Sequence, residues 1–434
     1  MQTCINPPYG QWEQLTVRAM AEKATQVSDI VADIISNVAA NGDKAIFEYE
    51  QRFTGACLDR LEVGNEKFDA AEQAISDQLK TAIRLAADNI RAFHTAQTPH
   101  QVEVMTAPGV KCWQRAIAID RVGLYIPGGN SPLFSTVLML AIPAVIAGCR
   151  EIILCTPANA SGHIHPAILF AAKTAGVTRI FKTGGAQAIA AMASGTQSIP
   201  RVDKIFGPGN RFVMEAKQQV SLRGVAIDMP AGPSEVMVIA DSTANPDFVA
   251  ADFLSQAEHG PDSQSILLTD SIELMHSVPE AIDKFLSQLP RREMMESSLS
   301  HSRIIFMDSM DQIMEFANMY APEHLIINHS NANSLAMQVR NAGSVFLGPY
   351  STESAGDYAS GTNHTLPTSG YARAYSGVNL DSFFKKVTFQ QLTPEGVNSI
   401  GHAVMAMAEA EDLYAHRLAM DLRIEALKQH TTQP

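Results

Sequence analysis

The sequence has 434 residues, of which 46% are hydrophobic and 18% are charged, and its formal net charge is -13. This composition is typical of a globular chain with room for two or three domains, and it excludes a largely disordered one. The negative charge disfavours binding to nucleic acid or to an anionic membrane surface. The longest apolar stretch, residues 137–148, is too short to span a bilayer and contains Pro143, so it predicts a buried helix.

The N-terminus and the cysteines predict a cytoplasmic protein. The first ten residues, MQTCINPPYG, do not place an apolar stretch after a basic segment, so they do not predict a secretory signal. The cysteines are odd in number and widely spread, which is typical of free thiols in a reducing compartment. They are Cys4, Cys57, Cys112, Cys149 and Cys155.

The first hundred residues have a helical pattern. Residues 27–39 and 43–53 are amphipathic and predict two helices. Apolar residues recur every three or four positions from residue 68 to residue 93, which predicts one long amphipathic helix. The pattern then changes, and residues 102–105 and 110–119 predict a hairpin or β-ribbon.

From Arg121 to about Asp241, short β patterns alternate with helical ones. The predicted strands are residues 122–127, 152–155, 179–182, 204–206 and 236–240. The predicted helices between them cover about 131–147, 165–175, 186–193 and 210–222. This alternation predicts βαβ units and a parallel sheet covered on both faces. In such sheets ligands bind beyond the carboxyl ends of the strands, where this chain has Gly128-Gly129, Gly184-Gly185, Gly207-Pro208-Gly209 and Gly232-Pro233.

A second alternating block predicts a second α/β domain. Its predicted helices are residues 247–258, 277–289 and 311–320, and its predicted strands are residues 266–269, 324–327 and 344–348. Residues 356–377 are rich in Gly, Ser, Thr, Tyr and Asn, which predicts a long ordered loop of the kind that usually has a function. Residues 394–429 predict a helical tail.

Two glycine turns are candidates for a dinucleotide site. Residues 125–132 and 207–210 each lead from a predicted strand into a helix, so their N–H groups could bind phosphate. Neither is a complete G-x-G-x-x-G, so the usual fingerprint is absent. The alternative is that these glycines only allow a tight turn from strand to helix.

The pair Glu323-His324, at the start of a predicted strand, is a candidate for acid/base chemistry. Adjacent residues on a strand point to opposite sides, so both would serve one site only if the turn at Pro322 splays them. A solvated pair at a strand end is the alternative.

Gln256 and His259 are candidate metal ligands. They lie three residues apart near the end of a predicted helix, stopped by Gly260-Pro261, and would share one helix face. Asp357 in the long loop and His416 on the C-terminal helix could complete a set suited to Zn²⁺. No spacing rule links residues so far apart, and a solvated helix end remains the alternative.

Other candidates for chemistry are weaker. His163 and His165 have a ligand-like spacing but precede a helix on a loop, which disfavours a metal role. Cys112, Cys149 and Cys155 have no neighbouring base or activating helix start, so they are interpreted as structural thiols.

Taken together, the motifs resemble the histidinol dehydrogenase family from about residue 120 to the tail. Before that point the resemblance extends only to helical character and length. The matching segments are GLYIPGG (123–129), TGGAQAIAA (183–191), IFGPGN (205–210), DMPAGPSE (228–235), LSQAEHGPDSQ (254–264), YAPEHL (320–325) and SAGDYASGTNHTLPTSGYAR (354–373).

The resemblance implies an α/β fold with two Rossmann-like (aldehyde-dehydrogenase-like) domains, a helical N-terminal segment and a helical C-terminal tail. Residues 1–124 would form the helical N-terminal part of the first domain, and residues 125–235 the Rossmann-like NAD-binding domain. Residues 236–378 would form the second α/β domain, which carries the metal and catalytic residues and packs with residues 20–124. Residues 379–434 would form the tail, swapped in a dimer.

The activity implied by the resemblance is the four-electron oxidation of L-histidinol to L-histidine, the final steps of histidine biosynthesis. It would proceed through a retained aldehyde and use two NAD⁺ in turn. One Zn²⁺ per subunit would be held by Gln256, His259, Asp357 and His416, with Mn²⁺ left open as the native metal. His324 would be the general base for the hydroxyl proton, and Glu323 would activate water on the aldehyde.

The resemblance also implies binding residues and a partner. Ser234 and Glu411 would contact the substrate together with His324 and the four metal ligands, and His364 is a further candidate. Tyr125, Gln187 and Asn210 match NAD contacts of a Rossmann-like site that lacks the glycine fingerprint. Similar proteins are homodimers, so Glu411 and His416 would act in trans, in the neighbouring subunit's site.

Two other functions are alternatives for this sequence. A relative with the same zinc and NAD apparatus could oxidise another small alcohol, such as a sulfonated diol, but the acidic Glu411 suits a cationic amino group. A catalytically silent nucleotide-binding or interaction protein would be expected to have lost some of Glu323, His324, His259 and Asp357, and all four are present.

Overall fold

The computed structural model of the chain describes residues 1–18, 24–128, 131–177, 179–230 and 232–431. The chain divides into two compact units. The first comprises Met1–Gln97 and Ile119–Phe383, and the second comprises Thr98–Ala118 and Phe384–Pro434. All five cysteines are free thiols. Among the described residues, no helix combines the length and the apolar character needed to cross a bilayer.

The helices and strands are numbered in chain order. The strands are β1 (Gln2–Ile5), β2 (Val102–Ala107), β3 (Val110–Ala118), β4 (Arg121–Tyr125), β5 (Glu151–Thr156), β6 (Arg179–Lys182), β7 (Lys204–Phe206), β8 (Ala226–Ile227), β9 (Glu235–Ala240), β10 (Gln264–Thr269), β11 (Arg303–Phe306), β12 (His324–Asn328), β13 (Ser344–Leu347) and β14 (Phe384–Leu392). The helices are α1 (Trp12–Leu15), α2 (Ala24–Asn41), α3 (Asp43–Thr54), α4 (Asn65–Ala74), α5 (Asp77–Thr95), α6 (Phe134–Ala147), α7 (Pro166–Ala175), α8 (Gly185–Ser194), α9 (Arg211–Ser221), α10 (Pro246–Ala257), α11 (Ile272–Leu286), α12 (Arg292–Ser300), α13 (Met310–Tyr320), α14 (Ala332–Ala336), α15 (Glu353–Tyr358), α16 (Pro394–Ala410) and α17 (Tyr414–Thr431).

The first unit contains two parallel sheets. One has the strand order β6-β5-β4-β7-β8, and its strands are nearly continuous apolar runs because helices cover both faces. Helices α4 to α7 pack on one face, and α2, α8 and α9 pack on the other. The predicted α/β fold with parallel sheets is therefore confirmed. At the carboxyl edge of this sheet, Gly128, Gly184 and Gly207 lead the chain toward α6, α8 and α9.

The second sheet has the order β1-β11-β10-β9-β12-β13 and is also parallel. Its core lies on both faces, against α10 to α12 on one side and α1, α13 and α14 on the other. Because β9 and β10 are parallel neighbours, α10 must run back from the carboxyl end of β9 before β10 begins. The C-terminal end of α10 therefore returns to the amino edge of the sheet.

The N-terminal helices cover the first sheet, and α5 also touches the region that follows α15. Asn89 on α5 donates a hydrogen bond to the carbonyl oxygen of Ala359 at 2.8 Å. The single long helix predicted over residues 68–93 is wrong. It breaks between α4 and α5, where Ile75 is extended and the Ser76 side chain caps α5 by accepting from the N–H of Leu79. The apolar period continues across the break, so periodicity alone did not reveal it.

The second unit combines an antiparallel sheet with two helices. β14, β3 and β2 lie side by side, and Trp113 stacks on Phe389 with 5.3 Å between ring centroids. The predicted hairpin is confirmed as β2 and β3. The tail predicted as helical from residue 379 instead begins with a 3₁₀ turn and β14, because Phe384–Leu392 completes the sheet beside β3. Helices α16 and α17 then follow and pack on each other.

Candidate active site at the amino edge of the second sheet

Glu323 and His324 lie together, buried, at the amino edge of the second sheet. Ala321 has a left-handed backbone with φ +55°, and β12 begins only at His324. Glu323 thus precedes the strand and is not bound by its alternation. The Oε2 atom of Glu323 lies 3.6 Å from Nδ1 of His324, so both side chains face one site.

The surroundings of His324 determine which ring nitrogen carries the proton. Nδ1 lies 3.4 Å from the carbonyl oxygen of Glu235, which can only accept a hydrogen bond. Oε2 of Glu323 and, at 3.7 Å, Oε1 of Glu353 also lie near Nδ1. Nε2 lies 3.6 Å from Oδ1 of Asp357 and has no hydrogen-bond partner among the described residues. The neutral ring therefore keeps its hydrogen on Nδ1 and has its free electron pair on Nε2.

Burial controls the charge of the carboxyl groups beside His324. It raises the pKa of Glu323 to about 7 and that of Glu353 to about 8, because a buried carboxylate loses its hydration. Oε2 of Glu323 accepts a hydrogen bond from the N–H of Glu235 at 2.9 Å, which fixes the direction of this side chain. The acid can therefore change protonation near neutral pH while it stays in place.

A cluster of ligand-type atoms adjoins this pair. Ligand atoms of His259, Glu353 and Asp357 lie within 4.8 Å of one another. Gln256 is fully buried, and neither of its amide atoms has a partner among the described residues. The same holds for Oδ1 of Asp357 and for both carboxyl oxygens of Glu353. Unsatisfied buried polar atoms cost about 1–3 kcal/mol each, so this donor set fits a cation that would satisfy them.

The position of His259 differs from the sequence expectation. Helix α10 ends at Ala257, and His259 follows it in a turn in which its N–H donates to the carbonyl oxygen of Gln256 at 3.2 Å. Gln256 is buried while His259 is exposed. Gln256 therefore lies in the last turn of the helix and His259 lies in the turn after it, so the two residues do not share one helix face.

Sequence reasoning missed Glu353 and Asp252. Glu353 lies four residues before Asp357 on α15, and Asp252 lies four residues before Gln256 on α10. Burial raises the pKa of Asp252 to about 7. Residues four apart share a helix face, so this spacing was the signal that could have found both acids.

The segment around Ser234 precedes Glu235, the residue whose N–H binds the Glu323 side chain. Ser234 is half-buried and precedes Glu235, whose carboxylate pairs with Arg18 and accepts from the N–H of Ser369 at 2.7 Å. The N–H of Gly232 donates to the hydroxyl of Thr368. The predicted loop over residues 356–377 begins inside α15. Through Thr368 and Ser369, its later part binds the chain at the start of β9, where the Glu235 N–H lies.

His364 forms hydrogen bonds with the backbone of Asp357 on α15 and with a side chain of α6. Its Nδ1 lies 2.9 Å from the carbonyl oxygen of Asp357, so Nδ1 must be the donor. Its Nε2 lies 3.1 Å from the hydroxyl of Thr136 on α6 and accepts from it in the neutral ring. The ring therefore fixes the backbone of a candidate ligand relative to the helix that follows β4.

Glu411 and His416 belong to the second unit. Glu411 directly follows α16, and His416 lies in the first turn of α17, where its N–H donates to the carbonyl oxygen of Leu413 at 3.0 Å. Both side chains are exposed.

A cavity of about 1630 Å³ opens at the carboxyl edge of the first sheet. Tyr125, Gln187 and Asn210 all line it, so the three candidate dinucleotide contacts lie together. Asn210 uses its Oδ1 to accept from the N–H groups of Phe212 and Val213 at the start of α9. Its Nδ2 is the atom left for a ligand.

At the second glycine turn, the protein itself already engages part of the backbone donor set. The N–H of Gly207 donates to Asp228, and those of Phe212 and Val213 are capped by Asn210. Because the protein already satisfies these three N–H groups, they are not available to a ligand. The first turn includes Gly129 and Asn130, which lie outside the described residues.

A buried ion pair holds the turn at Gly207. Lys217 pairs with Asp228, each side chain only 1% exposed, and its Nζ donates to the carbonyl oxygen of Gly207 at 2.8 Å. Gly207 has φ +132°, and a Cβ there would lie 2.1 Å from the carbonyl oxygen of Tyr125. The turn therefore needs glycine and is clamped from both sides by the pair.

Lys217→Met is expected to lower the free energy of unfolding by about 3–5 kcal/mol, because it leaves the Asp228 carboxylate buried without its cation. Denaturant unfolding at one fixed protein concentration measures the change. The double variant Lys217→Met/Asp228→Asn should recover part of the loss. A single-variant loss below about 1 kcal/mol would show that the pair is not a buried charge pair.

Known proteins match the chain along nearly its whole length. A family model described as histidinol dehydrogenase matches residues 17–424. A histidinol dehydrogenase from Bacteroides thetaiotaomicron is 58% identical over 422 residues, covering 97% of this chain and 98% of that protein. One from Escherichia coli K12 is 52% identical over 421 residues, covering 96% of each. The crystal structure of histidinol dehydrogenase from Elizabethkingia anophelis matches with a TM-score of 0.96 at 51% identity, covering 99% of both chains. The resemblance seen in the motifs is confirmed, and the chain belongs to the histidinol dehydrogenase family of oxidoreductases.

Proposed function

We propose that the chain oxidises L-histidinol to L-histidine through a retained aldehyde, with two NAD⁺ consumed in turn and one Zn²⁺ per subunit. The observation that carries this proposal is the buried Glu323–His324 pair beside a cluster of unsatisfied ligand-type atoms. The pair offers two acid/base groups, and the cluster offers a place to fix a nitrogen-rich substrate.

Gln256, His259 and Asp357 would hold the ion from this chain, and His416 would come from a neighbouring subunit. The donor set of imidazole and oxygen atoms fits Zn²⁺, with Mn²⁺ as the alternative. When bound, the ion would orient and clamp the substrate through the substrate's nitrogen atoms. Glu353 adds a further carboxylate to the group.

His324 would take the hydroxyl proton at Nε2 while hydride leaves the carbon for NAD⁺, which produces the aldehyde and NADH. Burial alone would lower the pKa of His324, but Glu353, Glu323 and Asp357 outweigh it and raise the pKa to about 10. The positive charge of an ion held by Asp357 would offset these carboxylates. The pKa would then return toward the neutral range in which a general base works best.

Glu323 would act in the second half of the reaction. Its carboxylate would take a proton from water as the water adds to the aldehyde. Hydride would then leave the hydrate for the second NAD⁺ while His324 takes the proton of a hydrate hydroxyl. The pKa of about 7 suits this step, because the group can accept a proton near neutral pH. The N–H of Glu235 holds Oε2, so Oε1 is the oxygen free to meet the water.

The dinucleotide would bind in the cavity at the carboxyl edge of the first sheet, against Tyr125, Gln187 and Asn210. Backbone N–H groups at Gly185 and Gly207 are already engaged by the protein. Side chains would therefore make these contacts, which explains a dinucleotide site without the glycine fingerprint.

The second unit would complete the neighbouring subunit's site in a homodimer, with Glu411 contacting the substrate's amino group and His416 the metal. Its helices expose large apolar side chains that a partner would cover: Met407, Leu413, Tyr414, Leu418 and Leu422. The alternative is a related zinc- and NAD-dependent enzyme acting on another small alcohol, such as a sulfonated diol. The negative charge of Glu411 favours a cationic substrate.

The test is an NADH-release assay with L-histidinol before and after treatment with a chelator. Each histidinol is expected to yield two NADH, the chelator should abolish the reaction, and added Zn²⁺ should restore it. A sulfonated diol serves as the competing substrate. No NADH from histidinol would overturn the substrate, and full activity in metal-stripped protein would overturn the metal.

A further inference from the structure

A buried carboxylate lies beneath the dinucleotide cavity and has no place in the chemistry described so far. Glu50 on α3 is fully buried. Its Oε1 accepts hydrogen bonds from the hydroxyl of Thr183 at 2.9 Å, the N–H of Gly184 at 2.9 Å and Nε2 of Gln187 at 3.0 Å. Within the described ranges, no lysine or arginine forms an ion pair with it. The fold thus keeps a costly buried acid at the turn that starts α8.

The N-terminus of α8 makes this position tolerable for an anion. Gly184 is the residue before the helix, and the first N–H groups of a helix carry a partial positive charge. Glu50 therefore occupies the place where a ligand phosphate would otherwise bind. The N–H of Gly185 is also taken, because it donates to the phenol oxygen of Tyr125 at 3.1 Å.

The contact with Glu50 fixes the orientation of the Gln187 amide. A carboxylate only accepts hydrogen bonds, so the NH₂ group of Gln187 must face Glu50. The carbonyl oxygen, Oε1, then points the other way, across Gly185. A Cβ added at Gly185 would lie 2.7 Å from this oxygen, so the glycine leaves the room that the amide needs.

The same network directs Tyr125. Its phenol oxygen already accepts from Gly185, so its hydroxyl hydrogen is free to be donated elsewhere. Gln187 and Tyr125 both line the cavity. A ligand group would therefore meet an acceptor from Gln187 beside a donor from Tyr125, which matches a ribose hydroxyl or a carboxamide.

We infer that Glu50 is a positioning residue of the dinucleotide site, which fixes Gln187 as a hydrogen-bond acceptor toward the cofactor. This inference rests on the proposed use of NAD. Glu50 makes no contact with the cofactor itself. It acts through the Gln187 amide and the Gly184-Gly185 turn.

A double-variant cycle tests the inference. We expect Glu50→Ala and Gln187→Ala each to raise the Kd for NADH, followed by its fluorescence, by about tenfold, which corresponds to one lost hydrogen bond of about 1.4 kcal/mol. The double variant should bind NADH no more weakly than the weaker-binding single variant. Glu50→Ala already frees the Gln187 amide, so removal of that amide then has little further effect. The KM for histidinol and the zinc content should stay within about twofold of wild type.

Two further variants separate positioning from general stability. Glu50→Gln keeps a carbonyl oxygen that can accept the same three hydrogen bonds, so it should restore the Kd to within about threefold of wild type. Asp241→Ala is the matched control. Asp241 lies at the carboxyl end of the second sheet and accepts from Thr243 and Ser330, so its loss should lower stability and leave the Kd for NADH unchanged.

The outcomes separate this inference from the proposed function. If wild-type protein binds no NADH, both fall. If wild type binds NADH and Glu50→Ala binds it equally well, or if the two losses add in full, only the role of Glu50 falls. Should Glu50→Ala fail to fold, Gly185→Ala disturbs the same amide from its other side, and an unchanged Kd in that variant would overturn the inference.

Discussion

Replacing His324 with asparagine is expected to lower the turnover of both oxidations by about 10²–10⁴-fold, the usual contribution of a general base. An asparagine amide can replace the Nδ1–H donor, but it does not reach the position of Nε2 and takes no proton there. Bound zinc should be retained, since the proposed ligands are other residues. Stopped-flow detection of NADH from histidinol and from its aldehyde, with metal analysis of the same samples, measures both effects.

His329→Asn is the control for this change. His329 follows the carboxyl end of the same strand, and its Nδ1 accepts from the N–H of Asn331 at 2.9 Å. The control keeps the chemical substitution but moves it to the opposite edge of the sheet. Near-wild-type turnover in His324→Asn would remove His324 from the mechanism, and an equal loss in His329→Asn would attribute the effect to stability.

Glu323→Gln should divide the two half-reactions where His324→Asn does not. Alcohol oxidation needs no water, whereas aldehyde oxidation needs a base that takes a proton from the attacking water. The variant should therefore slow the aldehyde half far more than the alcohol half. If alcohol oxidation fell and aldehyde oxidation were spared, the two roles would be reversed.

The alternation of β and helical patterns was enough to predict both parallel sheets, because fully buried strands leave a clear apolar signal. β6 and β7 were predicted with their observed bounds. β1, β8, β11 and β14 were not predicted, and for β1 and β14 the reason is physical. β1 is a short, mostly exposed edge strand, and β14 is half-exposed, so neither has the apolar signal of a buried strand.

The site was less accessible to sequence reasoning than the fold. The rule that ligands bind at the carboxyl ends of parallel strands agrees with the cavity of the first sheet but not with the buried pair at Glu323 and His324. Glu323 and His324 lie at the amino edge because β12 begins there. Gln256 reaches the same edge because α10 returns to it. The rule does not cover a candidate site that is built from the end of a returning helix and the start of a strand.

Isolated acids were the hardest residues to find. Glu50 looks like an ordinary polar position of a helix, and Glu353 is marked in the sequence only by its spacing from Asp357. Only the packing of α3 and α15 removes them from water. Their functional interest arises from burial, which is a property of three-dimensional packing.

Mixing two inactive variants is expected to restore activity if the tail serves the neighbouring subunit. His416→Ala removes a proposed ligand on the second unit, and Glu323→Gln removes an acid of the first. Random reassortment makes half of the dimers hybrids, and each hybrid has one site with both wild-type residues. Activity should therefore return to about one quarter of wild type in the mixture and to about one half in isolated hybrids. The two proteins are refolded together, hybrids carrying two different tags are isolated, and NADH release is measured.

The pair His416→Ala and Glu411→Ala is the negative control for this experiment. Both residues lie on the same unit, so every hybrid site would receive a tail with one defect, and no activity should return. If purified His416→Ala/Glu323→Gln hybrids are also inactive, the two residues do not meet across subunits. In that case each site would be completed by its own chain's tail. One site of the hybrid would then carry His416→Ala and the other Glu323→Gln, and both would be inactive.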